Sequence, residues 1–524
     1  MRTRTIVLAS LLSVFGCGVF DGSDAPPPPP EAPSEPPRRS EPDLPPPVTG
    51  TPTENELTEE FGVFVTTAGT ADGEGTRTSP LASIQAGIER AKEQGKRVYV
   101  CGETFKEALT LARGVPLIGG LDCSTFVWKK GNTRTRIEAP SSPALDANGI
   151  DVPTRIEGFD VVAPDGTASS RTSIGLRAKG SGGLVFVSSS ITAGRGFDGE
   201  SGTEGVQLTF SQTEPGRGSP EWTSRDLFVR PPNEGGAGAV GSCAGAPGFA
   251  GGTGGRGGTS GDFLSDRCRI AVVCAISFYW WYPEKIGGWV ENHPIILAGS
   301  PSTPGEPGAG NPAAAGADGP SAANPGTFSA DGFIPADGVN GTNGTPGKGG
   351  AGGAADWPTT VPNEKYLEAQ AATGPGGGAG GCPGLAGTAG KGGGASVGAL
   401  LYDSPGITFD AVQIVANDGG DGGRGTFGSN ATWGGPPATP HPGAKEGEAG
   451  QPGGRAGVSG SGAGGSSVAI AHHGGAPSLV NGSTLKIGRA GRGVPEAKAT
   501  DAATGQIKTL AASSDGVAKD LLEF

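Results

Sequence analysis

The side chains able to do chemistry are few, and their spacing argues against a reaction centre. The chain has four histidines, His293, His441, His472 and His473. His472 and His473 adjoin in a β-rich stretch, where successive side chains point to opposite faces and do not chelate one metal together. Asn417, Asp418 and Asp421 in "ANDGGDGGRG" offer the oxygen ligands that a calcium ion takes. A repeated Gly-Gly-x-Gly-x-Asp pattern does not accompany them, so a turn with solvated carboxylates is the expectation. Aromatic side chains concentrate in "CAISFYWWYPEKIGGWV", from Cys274 to Val290. A sugar-binding platform there would use the ring faces of Trp280, Trp281 and Trp289. The alternative, expected here, is a hydrophobic plug pinned by Cys268 and Cys274. No catalytic residue, metal ligand or cofactor is expected, and the reading leans away from an enzyme.

Composition narrows the partners. The chain holds 524 residues with 100 glycines, 46 prolines and 34% apolar residues, enough for a core that carries a large glycine-rich load. A net charge of -13 argues against nucleic acid and anionic membrane surfaces as partners, because both need clustered Lys and Arg.

The first residues speak to location. Arg2 and Arg4 precede an apolar run from Ile6 to Phe15, too short to span a bilayer and suited to a secretory signal. The run ends in "VFGC", which resembles the lipobox of bacterial lipoproteins, with Phe15 a departure from its usual small or aliphatic residue. The resemblance implies cleavage after Gly16, acylation of Cys17, and a lipid anchor in the cell envelope, at the outer membrane or cell surface. Seven cysteines less Cys17 leave six, Cys101, Cys123, Cys243, Cys268, Cys274 and Cys382, for disulfides in an oxidising compartment. The stretch that follows Cys17 is proline-rich and almost free of aliphatic side chains, so it reads as an extended tether. About forty residues at ~3.1 Å each would reach on the order of 100 Å.

Beyond the tether, "SPLASIQAGIERAKEQG" reads as a helix with Ser79 as N-cap, Pro80 at its first position, Leu81, Ile84, Ile88 and Ala91 on one face, and Gly95 as its stop. Short β-rich pieces follow, "RVYV", "EALTL", "VPLIGG" and "RIEGFDVV". A repeat then decides among all-β architectures. Stretches opening at Ser173, Ser396 and Ser467 align without a gap, placing Ile174 with Val397 and Val468, Phe186 with Phe409 and Val480, and Ile191 with Ile414 and Leu485. A unit of that size is one coil of a β-solenoid, which buries its inward residues by stacking on the next. Residues 61–200 resemble the start of a pectin-lyase-like right-handed parallel β-helix, including its capping helix. That superfamily holds polysaccharide lyases and hydrolases, which carry clustered charged side chains on one face, and also silent adhesins. A structural or adhesive module is expected, with extracellular polysaccharide or other surface proteins as partners; the alternative is an exported polysaccharide lyase or hydrolase. Cys101 and Cys123 lie about one coil apart and are expected to pair, while the pairing of Cys243, Cys268, Cys274 and Cys382 stays open.

These readings divide the chain into a signal (1–16), a tether (17–60), N-terminal coils (61–230), a glycine-rich insertion (231–395), a coil (396–418), a glycine-rich loop (419–466) and a last coil with its tail (467–524). In the insertion, "GVNGTNGTPGKGGAGG" sets glycine at every third position from Gly338 to Gly353, and similar collagen-like runs recur from Gly378 and from Gly245. Phase slips at Gly257 and Gly258, or Gly453 and Gly454, argue against a long collagen helix. An unstructured linker is the second reading. The expected one is a sheaf of polyglycine-II-like strands packed on the solenoid's flank, with glycine facing the neighbours and Thr342 facing out.

Overall fold

A computed structural model describes residues 50–124, 128–224, 234–246, 248–260, 262–265, 296–298, 302–355 and 368–524. Cys17, the signal and the tether up to residue 49 lie outside these residues, as do Cys268, Cys274, His293 and the aromatic stretch with Trp280, Trp281 and Trp289.

Three parallel sheets form the body. From Arg97 onward the chain visits the first, second and third sheet in turn and then begins again. One visit to each runs through Thr154–Glu157, Phe159–Val162 and Ser173–Lys179; the next runs through Leu184–Val187, Ser190–Thr192 and Ser396–Tyr402. Alternation along each strand sends every second side chain inward, where like sits over like between layers. In the second sheet Ile137, Val161, Ile191, Ile414 and Leu485 form one such row. In the first sheet Phe186 stacks on Phe409 with ring centroids 5.4 Å apart.

Register agrees with the sequence alignment at Ile174, Val397 and Val468, and at Ile191, Ile414 and Leu485. It departs once: Phe409 pairs with Leu479, not Val480. The turn before Ser478–Val480 is one residue shorter than its predecessor, and Gly482 in the following turn restores the phase. Corners between sheets are built on left-handed residues stacked in columns: Gly158, Ser188, Ala411 and Asn481 at one, Gly149, Gly180, Asp403 and Gly474 at another. These columns account for all four non-glycine residues with positive φ among the described residues.

The helix spans Ile84–Gln94 and closes the start of the core with Ile84, Ile88 and Ala91. Its N-cap is Ser83 rather than Ser79, and Gly95 ends it in the left-handed conformation. Glu107, from a later turn of chain, decides the start by accepting hydrogen bonds from the Ile84 and Gln85 amides at 2.7 and 3.2 Å. Leu81 is buried in a bridge to the strand Gly62–Thr70 instead of in the helix.

Three long segments, residues 193–395, 416–466 and 487–517, leave the second sheet and return on the third, and the first two are glycine-rich. The first begins at residue 193, upstream of the expected 231, because Gly196, Gly199, Gly202 and Gly205 already face the backbone of residues 385–394. The serine that opens each repeat ties the exit to the return. Ser173, Ser396 and Ser467 accept the amides of Gly194, Asn417 and Gly488 at 2.8 to 3.0 Å. Ser396 and Ser467 also donate to the carbonyls of Gly194 and Asn417.

Glycine-rich segments hydrogen-bond to one another at every third residue. Gly344, Gly347, Gly350 and Gly353 donate to the carbonyls of Gly384, Gly381, Gly378 and Pro375. Gly378, Gly381, Gly384, Gly390 and Gly393 donate in turn to Glu448, Gln451, Gly454, Gly460 and Ala463. Amides of Glu448, Gln451, Gly454, Gly457 and Gly460 close the triangle onto Ala351, Lys348, Thr345, Thr342 and Val339. A Cβ on Gly344 would overlap the Gly454 carbonyl. Asn340, Asn343 and Pro346 fill a phase where proline forfeits no bond, and the asparagine Oδ1 atoms accept from Ala389 and Ala386. A disulfide joins Cys243 to Cys382, whose Cα atoms are 5.8 Å apart, inside this region.

Candidate functional site

A groove of about 440 Å³ lies on the outer face of the first sheet, between residues 51–57 and the strand Leu117–Asp122. Leu57 is buried there with Phe64, Tyr99, Ile118 and Trp128, so the body reaches back into the segment read as tether. The disulfide Cys101–Cys123, with Cα atoms 5.8 Å apart, pins the end of Leu117–Asp122 to the strand Arg97–Cys101 beside it. Buried Thr135 donates to the Cys101 carbonyl at 2.7 Å and accepts from the Gly120 amide at 2.8 Å, which sets the floor.

The groove's polar groups include Thr51, Glu54, Lys130, Asn132, Arg134 and Glu157. Glu157 is 9% exposed, and Arg155 donates to it at 2.7 Å while Thr51 Oγ1 donates at 3.0 Å. Its charge is thus already matched by a guanidinium. Such a lining can exchange hydrogen bonds with ligand hydroxyls. The described residues hold no group of three or more His, Cys, Asp or Glu side chains able to bind a metal.

Several carboxylates elsewhere on the outer faces are paired as well. Arg136 donates to Glu138 at 2.9 Å and Asp160 at 2.7 Å, and these bonds, that to Glu138 first, raise its pKa further. Arg177 grips Asp146 through two bonds of 2.8 and 2.9 Å. The Asp418 and Asp421 side chains accept the amides of Arg489 and Arg492 at 2.7 and 2.8 Å, and Asn417 donates to Ala193 at 2.7 Å. They clasp one long segment to the next. His472 faces inward, 5% exposed, and His473 faces out, so the pair is split as alternation requires. His441 lies apart in the second glycine-rich segment.

One arrangement escaped the sequence reading. On the outer face of the third sheet His473 stacks on Tyr402 with ring centroids 4.6 Å apart, Phe524 lies 6.0 Å beyond, and Asp403 meets His473 Nδ1 at 2.8 Å. The stacked rings cover each other and present edges, a structural ladder rather than a platform. The signal was available, because Tyr402 and His473 hold the same place in their repeats.

No family model, curated protein or solved structure matches the chain. Among the described residues, no helix is long and apolar enough to cross a membrane.

Proposed function

We propose that this protein is a lipid-anchored module of the cell envelope, structural or adhesive and non-catalytic, whose body is a right-handed parallel β-helix flanked by a polyglycine-II sheaf. The observation that carries it is the use of consecutive glycines. Cβ atoms on Gly376, Gly377 and Gly378 would strike three different segments, at Ala237, Gly350 and Gly435. That is the geometry of a helix with three residues per turn packed on all sides. Such packing supports a stiff display surface, and the pairing of Glu157, Asp160 and Asp146 with arginines supports structural rather than catalytic carboxylates. Extracellular polysaccharide or other surface proteins would be the partners, and Cys17 the anchor.

Two measurements test this reading. Cys17→Ser should release the protein from the membrane fraction, because stable attachment needs more than one acyl chain; a variant that stays membrane-bound overturns the anchor. Incubation with extracellular polysaccharides should show retention without cleavage. Release of shorter chains, abolished by Glu157→Gln in the groove, would establish a lyase or hydrolase instead.

A further inference from the structure

The third long segment, residues 487–517, contains a hairpin, Ala497–Thr500 paired with Ile507–Leu510, that carries a buried lysine. The Lys508 side chain is 2% exposed and that of Asp501, which faces it at 3.3 Å, is 0% exposed. Lys508 Nζ also donates to the carbonyls of Ser429 at 2.8 Å and Gly428 at 3.3 Å, and reaches Asn430 Oδ1 at 3.5 Å. A primary amine and a carboxyl group therefore meet in a desolvated place, with the half-buried side-chain amide of Asn430 at its edge. An ion pair alone is a poor return for this burial, since the desolvation of two charges offsets most of their attraction.

We propose that Lys508 and Asn430 become joined by an autocatalytic isopeptide bond, with Asp501 carrying the protons. Asp501 Oδ2 takes a proton from the ammonium group, and the freed amine attacks Asn430 Cγ. That carbon is one bond from the Oδ1 at 3.5 Å, and the step requires the Asn430 side chain to turn until Cγ lies about 3 to 3.5 Å from Nζ, the separation from which attack begins. The Nζ–Cγ bond forms and the Cγ–Nδ2 bond breaks. Of the three ammonium protons, one stays on the new amide nitrogen and two pass through Asp501 to the leaving nitrogen, which departs as ammonium. Asp501 ends as the carboxylate it began as, and no oxidant or cofactor is consumed.

The surroundings fit these roles. Burial lowers the pKa of Lys508 against the opposing charge of Asp501, which favours the amine that a nucleophilic lysine needs. Asp501 is held in place by the amides of Ala431 at 3.0 Å, Ala503 at 3.2 Å and Thr504 at 3.1 Å, and by the Thr504 hydroxyl at 3.0 Å. The bond would clip the last long segment covalently to the one before it.

The test is peptide mapping of the reduced full-length protein by mass spectrometry. The expected result is a branched species in which the peptide containing Asn430 is joined to that containing Lys508, lighter than their sum by one ammonia, with no lysine-specific cleavage at Lys508. Asn430→Ala, which keeps the Lys508–Asp501 pair, and Lys508→Arg should both lack it. Asp501→Ala should slow its appearance after synthesis by about 100-fold, the scale of a lost proton carrier. Two linear wild-type peptides, with a free amine at Lys508 and an intact Asn430 amide, would mean an ion pair only and overturn the proposal. Cross-linking at the wild-type rate in Asp501→Ala would remove Asp501 from it.

Discussion

The three-sheet stack and the glycine-rich sheaf are made from opposite materials. In the stack, rows such as Ile137, Val161, Ile191 and Ile414 bury side chains, and each layer rests on the one before. In the sheaf there is almost no side chain to bury: residues 371–385 are buried throughout, and seven of them are glycine. Glycine loses more freedom on ordering than any other residue. What offsets that loss is backbone hydrogen bonding in three directions, each bond worth about 0.5 to 1.5 kcal/mol net. The difference teaches how to read glycine density. "GVNGTNGTPG" has one glycine per triplet and packs closely on one side, whereas "GKGGAGG" has two, and there Gly349 and Gly350 abut Thr253 and Glu448 in separate neighbours.

The contrast breaks most sharply at the sheaf's centre. Gly380→Val would drive a side chain into the backbone of Gly347 and Lys348, where no flexible side chain stands to yield. A loss above about 4 kcal/mol is expected. Hydrogen exchange should show the amides of residues 344–353 and 374–393 deprotected while Val161 and Ile191 stay protected. In the stack, Ile414→Ala should cost about 2 to 5 kcal/mol by leaving a cavity in a sealed row. Leu485→Ala, in the same row but only partly buried at its end, should cost less, and denaturant unfolding of the two variants ranks them.

Acid separates the two regions with a smaller effect. Burial pushes the Asp337 carboxyl up, but the Gly392 amide, Arg171 and Lys391 outweigh it and hold the group below the usual carboxylate range. Asp318 is likewise held down, against burial, by Arg455 and the Val458 amide. A carboxylate whose pKa is depressed by folding stabilises the fold above its unfolded pKa of about 4, and that contribution is lost as pH falls through the folded value. Protection factors in the sheaf should therefore drop below about pH 4, and by more than those of the stack, where Asp122 and Asp151 are also held below the usual range but lie at the solvent-exposed surface. Smallest is Thr342→Val at the sheaf's edge. Thr342 is exposed as expected, yet its hydroxyl accepts the Ala317 amide at 2.8 Å, so about 1 kcal/mol should be lost, visible as faster exchange at Ala317.

Much of the stack was legible because its period is written in side chains. Aligned serines, branched aliphatics and phenylalanines located the layers, and the one slip, at Leu479, arose where a shortened turn and the extra Gly482 compensate each other. The helix start was misread because its decisive partner, Glu107, lies in a later turn of chain. In the sheaf the period announced close packing, but glycine carries no label for its neighbour. Nothing in Gly344 or Gly384 says that Gly454 completes their triangle. The meeting of Lys508, Asp501 and Asn430 was equally silent, since three ordinary polar residues acquire meaning only from being brought together in space.

The serine that joins each exit to its return has a kinetic meaning. Ser173 and Ser396 are register partners in adjacent layers, yet the whole of residues 193–395 lies between them, whereas the layers up to Thr192 are connected by short links. Closing a loop costs entropy that rises only slowly with its length, but the search for the contact slows folding when partners are distant in sequence. The first layers can assemble from local contacts alone. The strand Ser396–Tyr402 must wait until the intervening chain has condensed enough to bring Ser396 back to the Gly194 carbonyl. Contact order thus predicts assembly from the helix-closed end toward the C-terminus, with the sheaf condensing before every layer after Thr192.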